Sequence, residues 1–127
     1  MAKWVNSSVL DNGLNNIKTN ATKMVLIKAY SAGDSYATVA GNGIAEATMA
    51  SGDYTLSSSG SNRLLTTASG KTATASANSG ASPDLHIAYT DGSAIVYWVT
   101  DETSNQVVTA GNTVNFPSVV YQSNQPT

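Results

Sequence analysis

Residues 84–100 read DLHIAYTDGSAIVYWVT, and this stretch decides the fold class. In its first half Leu85, Ile87 and Tyr89 alternate with smaller or more polar residues, which predicts a β-strand over residues 84–90 with one apolar face. Asp91-Gly92 then separates this strand from a second apolar run over residues 94–100. An Asp-Gly pair between two such runs is a strong signal of a β-hairpin, so we expect antiparallel sheet here.

On either side of this hairpin, most of the hydrophobic pattern is again that of short strands. We expect strands at residues 23–30, 54–57, 63–67, 71–77, 113–116 and 119–121. Gly111-Asn112 predicts a further hairpin between residues 106–109 and 113–116, and residues 41–49 form either a loop or a short strand. The exception is residues 8–19, where apolar residues recur at helical spacing behind Ser8, the expected N-cap.

Turn signals every 8–12 residues predict a mainly β, antiparallel fold, a β-sandwich or jelly roll with one N-terminal helix. The length of 127 residues predicts a single domain over residues 1–127. Within it we expect an N-terminal arm at residues 1–7 and a polar C-terminal tail at residues 122–127.

The chain carries little charge, which argues against several classes of partner. Only 11% of its residues are charged, the net charge is −2, and the six basic residues all lie between Lys3 and Lys71. Nucleic-acid binding needs a concentrated basic face, so we expect no nucleic-acid partner. No apolar run approaches the length of a membrane span and the first residues resemble no secretory leader, so we expect no membrane partner either.

The residue types that perform chemistry are few. His86 is the only histidine, there is no cysteine, and no serine stands in a nucleophile-elbow motif. The acidic residues are dispersed, and the one adjacent pair, Asp101-Glu102, is expected to be a solvated turn, with a calcium site as the alternative. We therefore expect no catalytic residue, no metal, no cofactor and no enzymatic activity, and we interpret His86 as a solvent-facing or interface residue.

The aromatic residues provide the candidate interface, which comprises Trp4, Val5, Tyr97, Trp98 and Tyr121. The run over residues 94–99 is apolar on both faces, so it is either enclosed within the domain or covered by a partner. Trp4 lies before the first helix, where an arm can dock on another chain. The alternative is that the arm folds back on its own domain beside Val5.

Four stretches stand out in order along the chain: residues 9–17 (VLDNGLNNI) with 20–22, 60–63 (GSNR), 86–93 (HIAYTDGS) and 109–117 (TAGNTVNFP). Together they resemble a family of decoration (cement) proteins encoded among the head genes of tailed bacteriophages. Related sequences often carry tryptophan at the position of Ile87, and an Asp-Pro ending where this chain has Gln125-Pro126.

The resemblance implies a jelly-roll-like protein that is made in the host cytoplasm and binds the outer surface of the capsid. Its implied partners are the major capsid protein and further copies of itself, as a dimer or trimer, and it implies no catalytic residues. Two alternatives remain open. One is a structural protein of the phage tail or tail tube, and the other is a carbohydrate-binding β-sandwich that mediates adhesion.

Overall fold

A computed structural model of the protein describes residues 2–127, beginning with helix α1 at Ser7–Asn20. The helix starts one residue earlier than predicted, and its N-cap is Asn6 rather than Ser8. The Asn6 side chain accepts a hydrogen bond from the Ser8 N–H at 2.8 Å, which satisfies one of the amides that a helix start leaves unpaired. Leu14 and Ile17 point from α1 into the core.

Short antiparallel strands make up most of the remaining structure, with a second helix, α2, at Tyr36–Gly41. The strands are β1 Lys23–Ile27, β2 Gly43–Thr48, β3 Tyr54–Ser59, β4 Asn62–Thr67, β5 Thr72–Thr74, β6 His86–Thr90, β7 Val96–Asp101, β8 Thr113–Asn115 and β9 Val120–Ser123. The prediction of a mainly β, antiparallel fold with an N-terminal helix is confirmed. Within residues 2–127 the strands form open sheets and no closed barrel.

The strands form three sheets, in the orders β2-β1-β6-β7, β3-β4-β9 and β5-β8. β6 is therefore an inner strand of the largest sheet, and β7 is its edge. Leu85, Ile87 and Tyr89 are at most 2% exposed and lie in one core with residues of α1 and the other sheets, as their alternation predicts. The opposite face of β6 is also covered, because Ala88 packs with Val39 of α2.

The hairpin predicted at Gly111-Asn112 is wrong. β8 pairs with β5, with Ala73 opposite Val114, and residues 106–109 form no strand. The backbone of Val108 instead bonds to Ser79, whose N–H donates to the Val108 carbonyl at 2.9 Å and whose Oγ accepts from the Val108 N–H at 2.8 Å. Gly111-Asn112 does lie in a turn, but the backbone groups on either side of it pair with segments that are distant in sequence, β5 and Ser79.

The hairpin at Asp91-Gly92 is confirmed, with a longer turn than predicted. The Asp91 Oδ1 accepts hydrogen bonds from three successive backbone amides, those of Ser93, Ala94 and Ile95, at 2.8–3.0 Å. These bonds favour the charged carboxylate and lower the pKa of Asp91 to about 2. Because Ala94 and Ile95 belong to the turn, β7 begins at Val96 rather than at the predicted residue 94.

The ends of the chain are more ordered than the predicted arm and tail suggest. Ser7 belongs to α1, and β9 continues to Ser123, so the first two residues of the predicted tail pair with β4. Among residues 2–127, no helix is both long enough and apolar enough to cross a bilayer.

Candidate interaction surface

Four aromatic rings form a continuous row from the core to the surface. Tyr54 contacts Tyr89 edge-on, with ring centroids 6.2 Å apart, and Tyr89 stacks on Trp98 at 4.5 Å. Trp98 in turn contacts Tyr121 edge-on at 5.6 Å. Tyr54 and Tyr89 are buried, Trp98 is partly buried and Tyr121 is 42% exposed, so the row ends at solvent on β9.

A β-bulge in β7 brings Tyr97 to the same region. The pairing of β6 with β7 shifts between Tyr89 and Thr90, so that Tyr97 is the extra residue on β7. A bulge re-aims a side chain that strict alternation would send to the opposite face. Tyr97 and Trp98 accordingly both pack against the larger core cluster although they are neighbours in sequence.

Tyr97 and Tyr121 line an open groove of about 230 Å³ beside α1. Leu14 and Ile17 provide its apolar helical wall, and Asn16 and Ser123 contribute polar groups. We call this region, comprising Tyr97, Trp98 and Tyr121, the aromatic surface.

The two arm residues of the predicted interface have different environments. Trp4 is 71% exposed, the highest value among the exposed large hydrophobic side chains of residues 2–127. Val5 is half-buried because the Gln125 side-chain amide accepts from its N–H and donates to its carbonyl, both at 2.9 Å. The arm thus folds back on its own domain at Val5, while Trp4 faces solvent.

The amino-acid sequence points to Tyr97, Trp98 and Tyr121, but it cannot show that these residues meet. Tyr121 reaches Trp98 only because β9 pairs with β4, far from it in sequence. Gln125, whose side-chain amide bonds to the Val5 backbone, was missed altogether. A glutamine in a polar tail carries no signal of its own in one sequence.

His86, which we interpreted as solvent-facing or as an interface residue, is mostly buried in the free chain, because only 16% of its side chain is exposed. His86 lies opposite Asp101 in the β6–β7 register, and its Nε2 is 3.7 Å from the Asp101 Oδ1. Its Nδ1 is 4.0 Å from the Asp84 Oδ1. The structure therefore brings together two of the acids whose dispersal in sequence led us to expect no metal site.

Comparison with known proteins gives no match: no family model, no curated protein and no solved structure matches this chain. Two features of the structure remain as candidates. The aromatic surface exposes apolar area, and Asp84, His86 and Asp101 bring three side chains of metal-binding type together.

Proposed function

We propose that this chain is a virion structural protein that binds the outside of a tailed-phage head as a decoration, or cement, protein. Its partners would be the major capsid protein and further copies of itself, and its place the outer surface of the capsid. The observation that supports the proposal best is the aromatic row that ends at solvent on Tyr121. The ordered resemblance of residues 9–22, 60–63, 86–93 and 109–117 to phage decoration proteins favours a phage head as the partner.

The aromatic surface has the composition of an interface centre. Tryptophan and tyrosine are the residues most enriched where protein–protein binding energy concentrates. Here Trp98 is already held by its stacking on the buried Tyr89 ring, so little side-chain freedom remains to be lost on binding. A rigid aromatic patch is therefore suited to contacts that must be made many times over on one particle.

The scarcity of charge favours the same role. The aromatic surface contains no ionisable group except the tyrosine hydroxyls of Tyr97 and Tyr121, and the chain has no Lys or Arg beyond Lys71. Contacts between uncharged groups are insensitive to ionic strength, whereas exposed ion pairs weaken as salt rises. A protein that reinforces particles outside the cell benefits from contacts that persist as the medium changes.

The proposed action is mechanical and uses no catalytic residue or cofactor. A packaged genome presses on the shell, which opens at the boundaries between capsomers. A jelly-roll-like domain seated across such a boundary adds contact area on both sides. Interfaces of roughly 800 Å² per partner suffice when copies are linked, because docking one protomer raises the effective concentration of the next.

Two alternatives make different demands on the same surface. A tail or tail-tube protein would use it against a tail subunit. A carbohydrate-binding module would use the groove beside α1, where Tyr97 and Tyr121 adjoin Asn16 and Ser123. That combination of aromatic faces with amide and hydroxyl groups suits a sugar ring, so glycan binding is the second candidate function.

The test is a binding titration of the purified protein on empty, expanded heads of the phage whose genome carries the gene. Tyr121→Ala should weaken binding by about 2 kcal/mol, roughly thirtyfold in Kd, if the aromatic surface is the contact. Val107→Ala is the control, because Val107 is also exposed, at 60%, but lies outside the aromatic surface. It should bind like the wild type.

A second variant, Trp4→Ala, tests whether the arm contributes to binding to heads rather than to folding of the free protein. The exposed indole should contribute about 2–4 kcal/mol to binding, the range of interface hot spots, and almost nothing to the thermal midpoint of the free protein. Cryo-electron microscopy of the decorated heads would locate the protein. Absence of binding to heads, together with labelling of tails or a hit on a glycan array, would replace the proposal with the corresponding alternative.

A further inference from the structure

Three side chains of metal-binding type meet where β6 begins and β7 ends. One ligand atom from each of Asp84, His86 and Asp101 lies within 4.8 Å of the ligand atoms of the other two. The arrangement follows from the sheet, because His86 and Asp101 are direct partners across the two strands, and Asp84 precedes His86 by two residues. The cluster is separate from the aromatic surface.

The two carboxylates of this cluster have no basic partner other than His86. Within residues 2–127 the Lys and Arg ion pairs are Lys23–Glu46, Arg63–Asp11 and Lys71–Asp53, at 2.7–3.3 Å. Asp84 and Asp101 form none of these pairs. Two carboxylates that converge on one imidazole therefore lack a fixed positive charge, which a bound cation would supply.

The histidine is already oriented for binding. Its ring contacts the Tyr30 ring, with centroids 5.6 Å apart, and its Nδ1 lies 3.2 Å from the Asp84 carbonyl oxygen. An imidazole that donates its Nδ1–H to a backbone carbonyl presents the Nε2 lone pair to a metal, an arrangement common among metal-binding histidines. Here the Nε2 faces the Asp101 carboxylate.

The backbone that carries the ligands is also fixed. The Leu85 N–H donates to the Asn105 side chain at 2.8 Å, and the Glu102 N–H donates to the Leu85 carbonyl at 2.9 Å. Asn105 adopts a φ of +45°, a left-handed conformation that asparagine tolerates better than most residues. These bonds hold the segments bearing Asp84 and Asp101 side by side, so only the exposed carboxylates must rotate to reach a common ion.

We propose that Asp84, His86 and Asp101 form a binding site for a divalent first-row transition cation of the Zn²⁺ type. One imidazole and two carboxylates match the ligand preferences of such ions, whereas Mg²⁺ and Ca²⁺ favour oxygen ligands alone. Three protein ligands leave at least one coordination position for water or for a donor from a neighbouring molecule. A bound ion joins the start of β6 to the end of β7.

The experiment uses ZnCl₂ and the full chain, followed by NMR of the imidazole nitrogens and by calorimetry. Because His86 is the only histidine, every imidazole signal reports on this site. We expect saturable binding of one Zn²⁺ per chain, a large shift of the Nε2 signal and a rise in the thermal midpoint with added Zn²⁺. MgCl₂ at the same concentration should leave the imidazole signals unchanged.

Variants identify the ligands. His86→Gln and Asp101→Asn should each weaken Zn²⁺ binding by at least about tenfold. Glu102→Gln is the matched control, because it removes the same charge one residue away and its side-chain oxygen can still accept from the Ser104 N–H. It should bind Zn²⁺ within about twofold of the wild type if the ion is bound by ligation rather than by general negative charge.

The proposal is overturned if an excess of ZnCl₂ leaves the His86 signals unshifted. It is also overturned if Glu102→Gln weakens binding as much as Asp101→Asn, or if His86→Gln binds like the wild type. Circular dichroism without metal establishes whether each variant is folded. Should a variant unfold, the wild-type imidazole titration alone decides the outcome.

Discussion

Tyr54 and Tyr89 are two buried tyrosines with different hydroxyl environments. The Tyr54 hydroxyl donates to the Ala21 carbonyl at the end of α1, at 2.6 Å. The Tyr89 hydroxyl is buried and has no hydrogen-bond partner within residues 2–127. A buried polar group without a partner costs free energy, whereas a satisfied one stabilises the fold modestly.

Replacing each tyrosine with phenylalanine should therefore have opposite results. Tyr54→Phe leaves the Ala21 carbonyl without its donor and should lower the free energy of unfolding by about 1–3 kcal/mol. Tyr89→Phe removes an unpaired hydroxyl from the same aromatic row and should leave stability unchanged or slightly raised. Urea denaturation followed by circular dichroism measures both, and equal losses in the two variants would contradict this account.

The same burial makes stability sensitive to alkaline pH. Burial raises the pKa of Tyr89 to about 12, and it raises that of Tyr54 as well. A tyrosine in the unfolded chain ionises near pH 10. Below that pH both states keep their tyrosine protons, so the contribution of the two buried tyrosines to folding stability is fully present. Between about pH 10 and pH 12 the unfolded chain loses these protons first, and the free energy of unfolding should fall. Denaturation curves at successive pH values test this, with a shallower decline expected for Tyr89→Phe.

At the scale of elements, β6 supports the fold, because it is an inner strand covered on both faces. Leu85→Ala, at the buried residue just before β6, should lower the free energy of unfolding by about 2–5 kcal/mol through the cavity it leaves. Val107→Ala is the control, because Val107 is exposed and its truncation should change stability by less than about 0.5 kcal/mol. Thermal and urea denaturation of the two variants would show whether the core face is correctly identified.

The features of these elements that could be predicted from the sequence are those that depend on residues close together along the chain. The alternation of Leu85, Ile87 and Tyr89 gave the core face of β6, and the helical spacing gave α1 within one residue at each end. The pairing of β8 with β5 was missed because both are three-residue strands with little pattern. Helix α2 was missed for the same reason, since Tyr36–Gly41 is only six residues long.

The candidate sites were harder to predict because each depends on long-range pairing. Tyr97 and Trp98 were identified from an apolar run, yet the bulge that aims both at one core cluster has no signature in the sequence. The Asp84–His86–Asp101 cluster depends on the β6–β7 register, which brings Asp101 to His86. Residue types alone could suggest an interface, but they could not predict either geometry.

At the scale of the whole molecule, α1 and the larger sheets share one core, so the domain should act as a rigid body when it binds. Under the proposed function, phage particles that lack the protein should still assemble, because a decoration protein reinforces the shell without directing its geometry. They should release DNA at lower temperature or milder osmotic shock than wild-type particles. Failure of shells to form would indicate an essential capsid component, and normal heads without tails would indicate a tail protein.

The bond between Val5 and Gln125 also means that the two ends of the chain meet. Lys3 extends this contact by donating to the Thr127 carbonyl at 2.6 Å. A short linker from Thr127 back to Ala2 could thus close the backbone, and new ends could be opened at the exposed bend of Ser69-Gly70. Such a circular permutant should keep the fold, and peptides fused before residue 2 and after residue 127 should emerge together from one side of the molecule.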